Sequence, residues 1–173
     1  MNQSGFNLVE LLVAIGIFVI LLAVTVVNFR GASPRQSLSL QAENIISVLR
    51  QAQSDAGSGL PFGGSIPIGG YGVQIDTCDS PECSIILFAD SNGNFTPDTP
   101  DEIIQTIPLG NEVILKSISS GSPSIFTFKP PAGFVCVNGS CAGDDIIQII
   151  LGVRNSTDTM MIRINPLTGN ISL

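Results

Sequence analysis

Asp90, Asn92, Asn94, Thr96, Asp98 and Asp101 fall at positions 1, 3, 5, 7, 9 and 12 of a twelve-residue pattern. Hard oxygen donors at alternate positions of a tight loop are what Ca2+ requires. Position 6 is Phe95 where a calcium loop has Gly, and position 12 is Asp rather than Glu. The favoured reading is therefore a polar turn around Asn92-Gly93 joining two strands, with a calcium site as the alternative. The four cysteines form a second set, Cys78 with Cys83 and Cys136 with Cys141, in two runs of identical spacing. Short loops rich in Asp, Ser, Pro and Gly can close as local disulfides in an exported domain. Local pairing is favoured among the three connectivities; four free thiols or a zinc site is the alternative, disfavoured because zinc ribbons use a C-x2-C spacing.

Other chemistry is limited by composition. The chain has no His, which removes imidazole as base, proton shuttle or metal ligand. Ser and Thr are plentiful, but no nucleophile and base can be paired, so no enzymatic activity is expected. The net charge of -7 sits on the C-terminal part, where Lys116, Lys129, Arg154 and Arg163 face eleven Asp and Glu from residue 58 onward. Such a domain repels phosphate backbones, which disfavours nucleic acid as a partner.

The elements that must carry these groups can be read from periodicity. Between Glu10 and Arg30 no residue is charged, and Leu11 to Val27 is apolar except for Gly16 and Thr25. As a helix, residues 11–29 would extend about 28 Å, which reads as a membrane span. Ser33, Pro34 and Gln36 supply helix-start signals. Beyond them Leu38, Ala42, Ile45, Leu49, Ala52 and Ala56 form one apolar stripe at alternating spacings of four and three, ended by Gly57-Ser58-Gly59. Nine strand-like runs follow: residues 71–75, 84–89, 102–107, 112–117, 124–129, 133–137, 146–153, 159–164 and 170–173. Turn signals such as Asn92-Gly93, Pro130-Pro131, Asn138-Gly139 and Asn165-Pro166 separate them. The expected class is α+β, with an antiparallel β-rich C-terminal part.

Gly5, Phe6, Asn7, Leu8, Val9 and Glu10 form a G-F-x-x-x-E string abutting the apolar run. This string resembles the prepilin cleavage and methylation motif of type IV pilin-like proteins. The resemblance implies that a prepilin peptidase cuts after Gly5 and methylates the new N-terminal Phe6, the apolar helix being retained. It also implies that Glu10 pairs with the N-terminal amine of a neighbouring subunit during assembly. An unpaired carboxylate at bilayer depth costs on the order of 2.5 to 3.5 kcal/mol, so Glu10 should seek such a cation. A plain signal anchor is the alternative, with Glu10 reaching back to the interface. The leader Met1 to Gly5 carries no Lys or Arg, so orientation rests on the motif rather than on flanking charge. Further along, the F-x-F-x-P-x-x-G string at Phe126 to Gly133 and the I-x-x-x-x-x-T-G-x-I string at Ile162 to Ile171 are similar to GspH/FimT-type minor pilins and pseudopilins.

The resemblance implies a pilin fold: a long N-terminal helix, membrane half plus amphipathic half, packed on an antiparallel β-rich domain. Its parts are a leader over 1–5, a transmembrane and assembly helix over 6–29, an amphipathic helix over 30–57, and an extracytoplasmic domain over 58–173. The implied function is a structural subunit, of the minor kind, of a type IV pilus or type II secretion pseudopilus. Partners would be prepilin peptidase, other pilin or pseudopilin subunits, an inner-membrane assembly platform, and membrane lipid before assembly. The implied location is a single pass in the cytoplasmic membrane, then a filament at the cell surface or in the periplasm. A DNA-binding minor pilin of a competence pilus and a signal-anchored extracellular domain are the alternatives. No cofactor is expected, apart from Ca2+ if the Asp90 loop takes one.

Overall fold

The computed structural model describes residues 8–80, 82–98, 102–130, 134–141 and 143–173, with the side chains of residues 23–33 left out. Helix α1 is assigned over Leu8–Ser58, with Pro34 inside it. Its described side chains form two stretches, residues 8–22 and 34–58. The chain divides into two compact units, Met1–Gln36 and Ser37–Leu173.

In the first unit the described side chains of α1 are exposed throughout residues 8–22. Among the described residues no helix is long and apolar enough to cross a membrane. The apolar side chains described there run from Leu8 to Leu22, with Glu10 among them. Two expectations are therefore corrected. The fold is not a long helix with a membrane half and an amphipathic half laid on a domain, since among the described residues no helix is long and apolar enough to supply a membrane half. The single-pass anchor in the cytoplasmic membrane fails on the same finding.

The second unit holds a β-rich body whose strands all pair antiparallel. Its strands are β1 (Gly70–Ile75), β2 (Ser84–Asp90), β3 (Ile103–Pro108), β4 (Val113–Ile118), β5 (Ser124–Lys129), β6 (Phe134–Val137), β7 (Ile147–Val153), β8 (Thr159–Asn165) and β9 (Asn170–Ser172). They form two sheets, of order β3-β2-β1-β5-β6 and β4-β7-β8-β9. Within this unit the stripe Leu38, Ala42, Ile45, Leu49, Ala52 and Ala56 is buried in one core with residues of both sheets. Each large aliphatic side chain so buried contributes about 1.5–3 kcal/mol, which fixes this helical stretch against the sheets more firmly than helix propensity could.

Unpaired strand edges invite association with other chains, and among the described residues three of the four sheet edges receive hydrogen bonds from elsewhere in the chain. Along β9, Arg50 donates to Ile171 O at 3.2 Å and Gln53 to Gly169 O at 3.2 Å. On β4, Leu115 exchanges two backbone hydrogen bonds with Cys78. On β6, Val135 N donates to Pro166 O. The outer edge of β3, bearing exposed Ile104, is the least protected among the described residues.

Both cysteine pairs are closed locally, Cys78 to Cys83 and Cys136 to Cys141, with Cα–Cα distances of 5.8 and 4.0 Å. The second follows from turn chemistry. Asn138 and Gly139 both have positive φ, 48° and 80°, as a two-residue hairpin turn requires. Val137 and Ser140 exchange backbone hydrogen bonds of 2.8 and 2.9 Å across that turn, which brings the flanking cysteines face to face. The Cys78–Cys83 bridge fixes the segment that covers β4. A Cys78→Ser, Cys83→Ser double variant should lose about 2 kcal/mol, the chain-entropy value for so short a loop. Urea unfolding followed with and without reductant checks it: reductant should destabilise the parent more than the variant.

Candidate functional site

The loop after β2 is organised around one carboxylate. Asp90, the last residue of β2, is fully buried. Its Oδ1 accepts from Gly93 N at 2.7 Å and from Asn94 N at 3.2 Å, and its Oδ2 accepts from Phe95 N at 2.9 Å. Successive donors on one carboxylate wind the chain into a tight turn. Phe95 takes φ 66° there, the left-handed conformation that Gly supplies at position 6 of a calcium loop. The residue type departs from that pattern, but the backbone conformation does not. The Phe95 ring lies under the Lys129 ammonium, 4.5 Å from the centroid.

The remaining polar side chains of the sequence pattern follow in order. Asn92 Oδ1 accepts from Asn94 N at 2.9 Å, and Asn94 Oδ1 accepts from Thr96 N at 2.9 Å and Thr96 Oγ1 at 3.0 Å. Asp98 accepts from Asn94 Nδ2, and from Thr96 Oγ1 at 2.5 Å. Asp101 lies outside the described residues. Glu102, which opens the strand-like run 102–107, is only 4% exposed. Its Oε1 accepts from Ser91 N at 3.2 Å, while its Oε2 is buried with no hydrogen-bond partner. Its apolar neighbours Ile103 and Ile104 gave no signal that the glutamate itself would turn inward. Among the described residues no group of three acidic or Cys side chains is gathered to hold a metal.

The second candidate surface is the N-terminal stretch of α1. Its large apolar side chains, from Leu8 to Leu22, are between 49% and 73% exposed, and Glu10 stands exposed among them. Gly5 and Phe6 lie outside the described residues.

No protein-family model, curated protein or solved structure matches this chain. The functional reading therefore rests on its own residues. A contiguous apolar surface of this kind is unusual on a monomeric soluble protein.

Proposed function

We propose that this chain is a structural subunit, of the minor kind, of a type IV pilus or type II secretion pseudopilus. It is processed by prepilin peptidase after Gly5 and assembled through the apolar stretch of α1. The observation that carries the proposal is the Gly5, Phe6 and Glu10 spacing at the head of a helical stretch whose apolar side chains stand exposed. Equivalent stretches of neighbouring subunits are the cover such a surface needs. The two local disulfides suit a domain that works in an oxidising compartment.

The charge distribution favours a structural part over a DNA-capturing one. Arg154 donates to Asp79 O, Lys116 to Ser156 O, and Lys129 covers Phe95. Three of the four cations beyond residue 58 are thus engaged by the chain itself, while phosphate recognition needs them clustered and free. Intact mass of the protein from cells with and without prepilin peptidase tests the reading. The expected product begins at a methylated Phe6 in the first case and at Met1 in the second. A chain that begins at Met1 in both, or one cut after Val27, overturns it.

A further inference from the structure

We propose that the open face of the four-stranded sheet is a docking surface for an acidic patch on a neighbouring subunit. The inference rests on the filament-subunit reading above. One face of this sheet is core, where Ile149 and Leu151 of β7 and Ile162 and Ile164 of β8 are fully buried. Strand alternation turns the residues between them the other way. The opposite face therefore carries Ile150 beside Met161 and Gln148 beside Arg163. Lys116 joins them from β4, since a Cβ built on Gly152 would lie 2.2 Å from Lys116 Cε and the lysine stem thus crosses Gly152. Gly152, Ile150 and Gln148 follow one another at two-residue steps along β7, which sets their rows about 7 Å apart. The middle row is the half-buried apolar pair Ile150 and Met161, with exposed Lys116 on one side and exposed Arg163 on the other.

Charge says what covers this face. None of the residues 113–118, 147–153, 159–165 and 170–172 is Asp or Glu, although the chain carries 14 of them and a net charge of -7. The strands of this sheet thus present cations alone, on a chain that is acidic elsewhere. Protein interfaces show the same pattern at their centres, which are depleted in Asp and Glu and enriched in Met and Arg. The Arg163 guanidinium offers five donors in a fork that matches a carboxylate. Lys116 spends one of its three donors on Ser156 O at 3.4 Å, which leaves two for a partner. A partner with carboxylates on either side of an apolar side chain would meet both cations and cover Ile150 and Met161 together. Nucleic acid is the poorer match, because duplex DNA carries a charge about every 1.7 Å of its axis and the acidic remainder of the chain repels it.

The test is made on the full chain in cells that assemble the filament, by quantitative mass spectrometry of sheared filaments against a co-expressed parent. Arg163→Glu and, separately, Gln148→Glu place a carboxylate on the face. Each should lower incorporation by about tenfold or more, because like charges set against each other are strongly disfavoured. Arg163→Lys keeps the charge and should stay near the parent. All three should still be cut after Gly5 and keep the parent's urea midpoint, so a loss of incorporation reads docking rather than folding. A zero-length carbodiimide, which joins an amine to a carboxylate it touches, should link Lys116 to another subunit. Incorporation of either glutamate variant at the parent level, or Lys116 linked only within its own chain, overturns the docking face and leaves the subunit reading standing. A parent that is neither cut after Gly5 nor found in filaments overturns that reading and this face with it. Duplex DNA retained by the parent and released by Arg163→Glu would assign the face to phosphate and overturn the proposal as well.

Discussion

Gly70→Ala should be among the most damaging single methyl additions to the β-rich body, with an expected loss of about 3–5 kcal/mol. Gly70 opens β1, the central strand of the five-stranded sheet, and holds φ at 93°. That conformation is strained for any L side chain. Space is the larger obstacle: a Cβ built on Gly70 would lie 2.0 Å from Phe128 O and 3.0 Å from Phe128 C. Both are backbone atoms of β5, paired to β1 from Tyr71↔Phe128 onward, so relief requires the two strands to part. Gly121 separates the two contributions, because its φ is 96° but nothing lies within 4 Å of its added Cβ. Gly121→Ala should therefore cost only the conformational strain, about 1–2 kcal/mol. Urea midpoints of the two variants against the parent decide the matter. Equal losses would mean that crowding by Phe128 contributes nothing. A domain stabilised by 5–15 kcal/mol in all would show the Gly70 change first as poor soluble yield.

Local features of the body were legible because local chemistry sets them. The nine strand-like runs coincide with β1 to β9 to within one residue at each described end, since alternation and turn residues act over a few positions. The stripe from Leu38 to Ala56 is buried as its spacing requires. The Cys136–Cys141 bridge follows from the Asn138-Gly139 turn it straddles. Features that depend on distant partners were not legible. Period-two alternation cannot tell that β4 leaves the sheet of its predecessors and pairs with β7, because pairing is a long-range choice among compatible edges. Phe95 was read as an obstacle to a calcium-type turn, yet three amides converging on Asp90 hold it at positive φ. The burial of Glu102 was not legible because burial of a single acid at a strand end leaves no periodic trace. A membrane span is read from an apolar run broken only by Gly16 and Thr25, whereas among the described residues no helix is long and apolar enough to cross.

Glu10→Ala should reduce incorporation into filaments by about a hundredfold or more while leaving the β-rich body as stable as the parent. Glu10 lies in the first turn of α1, exposed among Leu8, Val9, Leu11 and Leu12. When neighbouring apolar stretches cover this surface in the proposed filament, the carboxylate loses water and must find a positive partner. The processed Phe6 amine of an adjoining subunit is the partner proposed, and methylation leaves its charge in place. Removing one member of a buried ion pair strands the other, at about 3–5 kcal/mol, which sets the fold-change. The body should not notice: Glu10 and Ser37–Leu173 fall in different compact units, and exposed substitutions away from packing cost within about 0.5 kcal/mol. Glu10→Gln distinguishes charge from polarity, since it keeps a hydrogen-bonding head but cannot neutralise an amine. Both variants should be processed after Gly5 yet be missing from sheared filaments, as measured by quantitative mass spectrometry against a co-expressed parent. Recovery of Glu10→Gln at the parent level would show that hydrogen bonding alone holds the register, and recovery of Glu10→Ala would remove Glu10 from assembly altogether.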